Sequence, residues 1–206
     1  MALHVVDHPI AHDLLLSLRD KATPSDTFRQ LARRLSLVLT LEATRDLETR
    51  TTTVETPLGP ANGTRVATEV VVVPVLRAGL GMLDAVLELL PRAKVGHIGL
   101  QRDEETAVAS KYYAKFPVGL ASARVLMIDP MLATGGSAVF ALDLLRDAGA
   151  RDIRLLCIVA SPEGVKTVEA AYPGVHVYTP VVDAYLNAKK FIVPGLGDFG
   201  DRLYGT

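Results

Sequence analysis

Hydrophobic and polar positions along the chain follow two rhythms, and the change between them falls near residue 69. Before it the rhythm is helical. Phe28, Leu31, Leu35 and Val38 recur at three- and four-residue spacing behind Ser25 and Asp26, which offer an N-cap, so a helix is predicted from there toward Leu47. Residues 51–56 are rich in threonine and read as a strand, which Gly59, Pro60 and Gly63 turn back toward 65–68. The two strands make an antiparallel hairpin appended to a core.

After residue 69 short apolar runs alternate with helical stretches. Strands are predicted at 70–75, 95–100, 124–129, 153–160 and 175–181. Helices are predicted from the loop Arg77-Ala78-Gly79 through Leu90, over 137–148 with Gly149 closing it, and from Ser161-Pro162 to near Pro173. Residues 111–117 read as a hairpin arm. Buried runs without polar alternation, joined by helices, imply an α/β fold: a mostly parallel five-stranded core sheet with helices on both faces. Ligands of such sheets bind at the carboxyl ends of the strands, near a switch in strand order. Arg77, Arg102 and Asp129 stand at three of those ends.

Composition narrows this picture without changing it. The 206 residues suit a single domain, with a core at about 69–180, helices and a hairpin in 1–68, and a C-terminal segment in 181–206. A net charge of -1 and no tryptophan give no bulk attraction to nucleic acid or anionic membrane and few stacking platforms. The longest apolar run, from Val70, is stopped at Arg77, too short for a membrane span. The N-terminus carries His4, Asp7 and His8 and lacks the apolar core of a signal peptide. Cys157, the single cysteine, excludes an internal disulfide and reads as a buried core residue. A cytoplasmic protein is expected. His8 and His12 have a helical metal-ligand spacing, but Pro9 lies between them and no third ligand is near, so no metal site is assigned.

The richest internal motif runs Asp129-Pro130-Met131-Leu132-Ala133-Thr134-Gly135-Gly136-Ser137. A buried strand delivers an acid, and a small-residue loop then opens a helix. Gly135 and Gly136 let main-chain N–H groups approach a phosphate, with the helix dipole and the Thr134 and Ser137 hydroxyls adding to its binding. Asp129 is placed to accept hydrogen bonds from ribose hydroxyls. The order of these parts resembles the phosphoribosyl-diphosphate signature of the type I phosphoribosyltransferases. Pro130 stands where many members have a second acid, so no carboxylate pair is available to grip a metal. In the segment Pro74 to Met82, Arg77 emerges at a strand end among glycines, where it could hold a diphosphate leaving group. Related enzymes often have a strained, sometimes cis, peptide here, and Arg77-Ala78 is the bond expected to carry it. Arg102 begins an arm through Asp103, Glu104, Glu105 and Thr106 toward Tyr112 and Tyr113, and is placed to close over the diphosphate.

The C-terminal stretch Gly195-Leu196-Gly197-Asp198-Phe199-Gly200 matches the dinucleotide pattern GxGxxG, but only six residues follow Gly200, too few for the required helix and strand. Instead, with Asp183 to Phe191 before it, the stretch resembles the uracil-recognition loop of uracil phosphoribosyltransferases. His8-Pro9, Leu41-Glu42-Ala43-Thr44, Asp46-Leu47-Glu48-Thr49 and Pro162-Glu163-Gly164 extend the resemblance over almost the whole chain. The resemblance implies the three-layer type I phosphoribosyltransferase fold with N-terminal helices, an added β-hairpin and a C-terminal hood. It implies that Arg77, Arg102 and Asp129 to Ser137 bind phosphoribosyl diphosphate (PRPP). Ile192, Gly197, Asp198 and Phe199 would bind uracil through main-chain groups. Asp198 would also approach the ribosyl substrate, as base or as orienter, making it with Arg77 and Arg102 the candidate catalytic set. Mg²⁺ would enter on the diphosphate, and a homodimer or larger assembly is implied. Two positions depart from the family: Lys190 replaces a glycine before the aromatic residue, where a positive φ would cost more, and Phe199 stands where some members have alanine. An RNA-binding regulator on the same fold and a purine-base transferase are the alternatives; the charge balance argues against the first, the C-terminal loop against both.

Overall fold

Alternate residues of the apolar run at 70–75 enter different cores: Val70 and Val72 join one cluster of buried side chains, and Val71, Val73 and Val75 another. A strand buried on both faces needs a layer on each side, and the computed structural model, which describes residues 2–102 and 109–206, has them. The chain begins with strand β1 (Ala2–Val5) and helices α1 (Pro9–Arg19) and α2 (Ser25–Ala43). The hairpin β2 (Thr49–Thr56) and β3 (Gly59–Val66) follows, and then β4 (Val70–Leu76) and α3 (Leu80–Leu89). Next come β5 (Lys94–Val95), β6 (His97–Arg102), β7 (Ala109–Lys115) and β8 (Arg124–Ile128). The second half holds β9 (Met131–Leu132), α4 (Gly136–Asp147), β10 (Asp152–Leu156), β11 (Val159–Ala160), α5 (Pro162–Ala171) and β12 (His176–Thr179). The chain ends in β13 (Tyr185–Leu186), β14 (Ile192–Val193) and α6 (Phe199–Tyr204).

The main sheet runs β1-β12-β10-β8-β4-β6-β7, with β5 also beside β4. All its pairings are parallel except β6 with β7. The five predicted strands are therefore neighbours. The chain passes from β4 outward to β6, then returns to β8 on the other side of β4. That reversal makes the β4–β8 crevice the topological switch point. Helices α1, α2, α3 and α6 share one cluster with Leu126 and Ile128; α4 and α5 share the other with Val125 and Met127.

Several elements differ from the sequence reading. Residues 2–5 are a strand in parallel register with β12, and so extend the core sheet rather than an N-terminal helical layer. Helix α2 begins at Ser25 with Pro24 as its N-cap and without a side-chain cap, and it ends at Ala43, short of Leu47. Its stop is anchored from the sheet: Arg154, itself buried, donates to the Ala43 carbonyl at 2.8 Å and to both Asp46 oxygens at 2.7 and 2.6 Å. The paired guanidinium holds the Asp46 carboxyl well below the usual carboxylate range. In the hairpin, Gly63 pairs with Thr52 inside a ladder of eight registers, so the turn lies at Pro57-Leu58 and not at Gly63. The predicted strand at 95–100 is broken at Gly96 into β5 and β6, and that at 153–160 into β10 and β11, the latter paired with β9 outside the main sheet. Cys157 is buried, as expected, and desolvation pushes its thiol up to about 12.

Candidate active site

Arg77 and Asp129 follow adjacent strands, β4 and β8, and so flank the switch-point crevice. Arg77 is exposed, and its loop is drawn tightly in. A Cβ on Gly79 would stand 2.5 Å from the Ile128 carbonyl and 2.7 Å from the Val75 carbonyl, so only glycine lets the loop after β4 pass across the end of β8. The cis peptide of this loop is Leu76–Arg77, one bond before the expected Arg77-Ala78. The Arg77 guanidinium lies 6.0 Å from the centre of the Tyr204 ring, and the Tyr204 hydroxyl donates to the Arg77 carbonyl at 3.3 Å. The C-terminal helix thus meets the loop expected to hold diphosphate. Arg102 ends β6 in the main chain; its side chain and residues 103–108, with Asp103, Glu104, Glu105 and Thr106, lie outside the described residues.

The stretch from Asp129 to Ser137 is shaped by what lies under it. The Asp129 N–H donates to the Leu156 carbonyl at 3.1 Å, Pro130 is buried, and Met131 and Leu132 pair with Val159 and Ala160. Ser161 caps α5 by accepting from the Gly164 N–H at 2.9 Å, and its Oγ donates to the Ala133 carbonyl at 2.6 Å. A Cβ on Gly164 would stand 2.4 Å from that same carbonyl. Gly135 is the N-cap of α4 at φ 85°, and a Cβ there would meet the Thr167 side chain at 2.7 Å. Glycine is required at 135 twice over, for its left-handed backbone and for the space. Gly136 is exposed, Thr134 and Ser137 half-buried, and all three lie at the start of α4 with its dipole. Burial raises the Cys157 pKa, and the charge of neighbouring Asp129 raises it further.

The C-terminal helix α6 reaches the same end of the molecule, with Phe199 and Leu203 beside Gly81 at the start of α3. Ile192 is buried and Gly197 exposed at φ 82°. Asp198 is the N-cap of α6, its Oδ1 accepting from the Asp201 N–H at 2.9 Å. Phe199 is 1% exposed as a whole residue and its ring packs edge-on against Phe28, with ring centres 5.1 Å apart, so its side chain belongs to the core. Lys190 sits at φ 64° in the turn between β13 and β14, the left-handed position expected of it. His8 caps α1 by accepting from the Ile10 N–H, and His12 lies 3.6 Å from Asp7. Surface grooves of about 510 and 780 Å³ lie elsewhere, the first against Arg50, Arg65 and Arg92, the second against His4, Arg154 and Tyr178; neither contains Arg77, Asp129 or Asp198.

Comparison with known proteins decides what this arrangement belongs to. The family model described as uracil phosphoribosyltransferase matches residues 5–206. The chain belongs to the uracil phosphoribosyltransferase family. A uracil phosphoribosyltransferase of Halalkalibacterium halodurans is 48% identical over 99% of this chain and 98% of its own length. That of Enterococcus faecalis is 45% identical over 98% and 97%. Among solved structures, the AQ2163 protein of Aquifex aeolicus is 35% identical and superposes with a TM-score of 0.94 over 99% of this chain and 98% of that one. An adenine phosphoribosyl transferase of Trypanosoma brucei, 14% identical with a TM-score of 0.59, covering 94% of this chain and 85% of its own, shares the fold. The chain is thus a phosphoribosyltransferase with the type I fold, and the family match gives the RNA-binding alternative no support.

The sequence reading gave no role to Arg19 or Arg202, which hold the C-terminal loop in place. Arg202 donates to the carbonyls of Leu196 at 2.8 Å, Asp20 at 2.6 Å and Leu18, and its guanidinium stacks 4.5 Å from the centre of Phe28. Arg19 pairs with Asp183. No spacing signal marks partners 164 residues apart.

Proposed function

We propose that this enzyme converts uracil and PRPP to uridine monophosphate and diphosphate in the cytoplasm, working as a homodimer or larger assembly. The observation that carries the reading is the full-length family match; the switch-point placement of Arg77 and Asp129 supports the assignment of roles. N1 of uracil attacks the anomeric carbon, the bond to the diphosphate oxygen breaks with its electron pair leaving on diphosphate, and the N1 proton passes to water. Charge develops on the departing group and, with opposite sign, on the ribosyl ring, so preorganised dipoles and alignment are the enzyme's main levers.

Asp129 accepts hydrogen bonds from the ribose hydroxyls, and the Thr134-to-Ser137 turn takes the 5-phosphate at the start of α4. Arg77 and Arg102 neutralise the diphosphate. Ile192, Gly197 and Phe199 read the uracil edge by main-chain groups. Asp198 approaches the ribosyl substrate as base or as orienter, its carboxylate held in place by the cap bond that its Oδ1 accepts from the Asp201 N–H. Buried Pro130 leaves Asp129 as the one carboxylate at the end of β8, a donor set that suits Mg²⁺ held chiefly by substrate phosphates. When bound, the ion supplies further positive charge beside the diphosphate. Replacing Asp129 by Ala tests the donor assignment: the KM for PRPP rises roughly tenfold or more, with the KM for uracil little changed. Unchanged use of PRPP in the folded variant would remove Asp129 from the site.

A further inference from the structure

The loop assigned to uracil rests on an ion pair that the catalytic scheme does not use. Arg19, the last residue of α1, donates from Nη1 to Asp183 Oδ2 at 2.8 Å and from Nη2 to Oδ1 at 2.6 Å. Nη1 also donates to the Gly195 carbonyl at 2.7 Å, and Asp183 Oδ2 accepts from the Gly195 N–H at 2.8 Å. Both main-chain polar groups of Gly195 are therefore bound to one ion pair, in which Asp183 is buried and Arg19 half-buried. A fork-to-fork pair fixes orientation as well as distance, which a lysine could not do. Gly195 adds its own restriction. Its φ is 56°, and a Cβ would stand 2.2 Å from the Ile192 carbonyl.

Asp183 also faces the other substrate loop. Its N–H donates to the Ala160 carbonyl at 2.8 Å. The next residue, Ser161, holds Leu132 through its N–H at 2.9 Å and Ala133 through its hydroxyl at 2.6 Å. One short run of hydrogen bonds therefore leads from the Asp129-to-Ser137 loop through Ser161, Ala160 and Asp183 to Gly195. We propose that Arg19 is a positioning residue for the base: through Asp183 it sets the main chain at Gly195, and hence the uracil-reading groups beside it, relative to the ribosyl donor. Arg19 touches neither substrate. The proposal rests on the assignment of Ile192, Gly197, Asp198 and Phe199 to uracil.

The test is to measure KM for uracil and for PRPP separately, beside thermal melting, in R19K, R19M and D183N. R19K keeps the charge and loses the fork, and D183N keeps the shape and loses an acceptor, so two mild variants stand behind the harsher R19M. The KM for uracil rises roughly tenfold or more, and that for PRPP stays within about twofold. Equal shifts in both constants, or a lowered melting temperature with both constants unchanged, would overturn the proposal by making the pair merely structural. Gly197→Ala, strained at φ 82°, separates the two readings. If it leaves the KM for uracil unchanged, the base-loop assignment fails and this proposal with it. If it raises that KM while the Arg19 and Asp183 variants do not, only this proposal fails.

Discussion

Lys190 carries a backbone conformation that its side chain disfavours. At φ 64° it is the one non-glycine left-handed residue among those described, in a turn tied by Asn187, whose Oδ1 accepts from the N–H groups of Lys189 and Phe191 at 2.9 and 3.0 Å. Such a position costs about 1 kcal/mol relative to glycine. Lys190→Gly therefore raises the melting temperature by roughly 2–4 °C in a chain of this size; a calorimetric scan showing no gain or a loss would contradict that. This position was legible in the sequence because the family pattern places glycine there. Asp129 and Arg77 were legible for a different reason: each terminates an unbroken apolar run, and strand ends are where parallel sheets expose chemistry. Arg19 and Asp183 were not legible, because their meaning lies in a contact between α1 and the C-terminal segment that no local spacing encodes.

Among the elements, α5 does more than cover the sheet. Its capping residue Ser161 is fully buried and serves two segments at once, the Gly164 N–H of its own first turn and the Ala133 carbonyl of the Asp129-to-Ser137 loop. Losing the hydroxyl takes a partner from both groups, from the Gly164 N–H in a buried place and from the Ala133 carbonyl in a half-buried one. Ser161→Ala costs about 1–2 kcal/mol of stability by denaturant melts and raises the KM for PRPP more than that for uracil. A stability loss with unchanged kinetics would reduce Ser161 to a helix cap. The cap itself was readable from Ser161-Pro162; its second partner was not, because Ala133 is 28 residues away. Apolar runs placed all five core strands but overstated two of them. Gly96 separates β5 from β6 although its N–H still donates to the Val72 carbonyl at 3.0 Å, and between β10 and β11 the Ile158 N–H turns to the Pro130 carbonyl at 2.9 Å; hydrophobicity alone does not report such a change of strand partner. The strand at 2–5 escaped notice for a related reason: it is a half-buried edge only four residues long, defined by its pairing with β12 rather than by any strong pattern of its own.

Across the whole molecule, parallel strand polarity gathers Arg77, the Arg102 main chain and Asp129 on one edge, and helix α6, which follows the clamped C-terminal loop, meets that edge through the contact of Tyr204 with Arg77. The segments proposed to hold donor and base thus come from parts of the chain far apart in sequence, as a two-substrate displacement requires. Fold class and family could be read from order and motif; the supports beneath the loops are tertiary and had to be seen. The central claim is that this chain joins uracil, and not another base, to PRPP. Incubating the purified enzyme with PRPP, Mg²⁺ and, in turn, uracil, cytosine, thymine, adenine and hypoxanthine, with nucleotides resolved by chromatography, tests it most directly. Uridine monophosphate from uracil and no nucleotide from the purines or cytosine is the predicted result; no product from uracil alongside conversion of another base would contradict it.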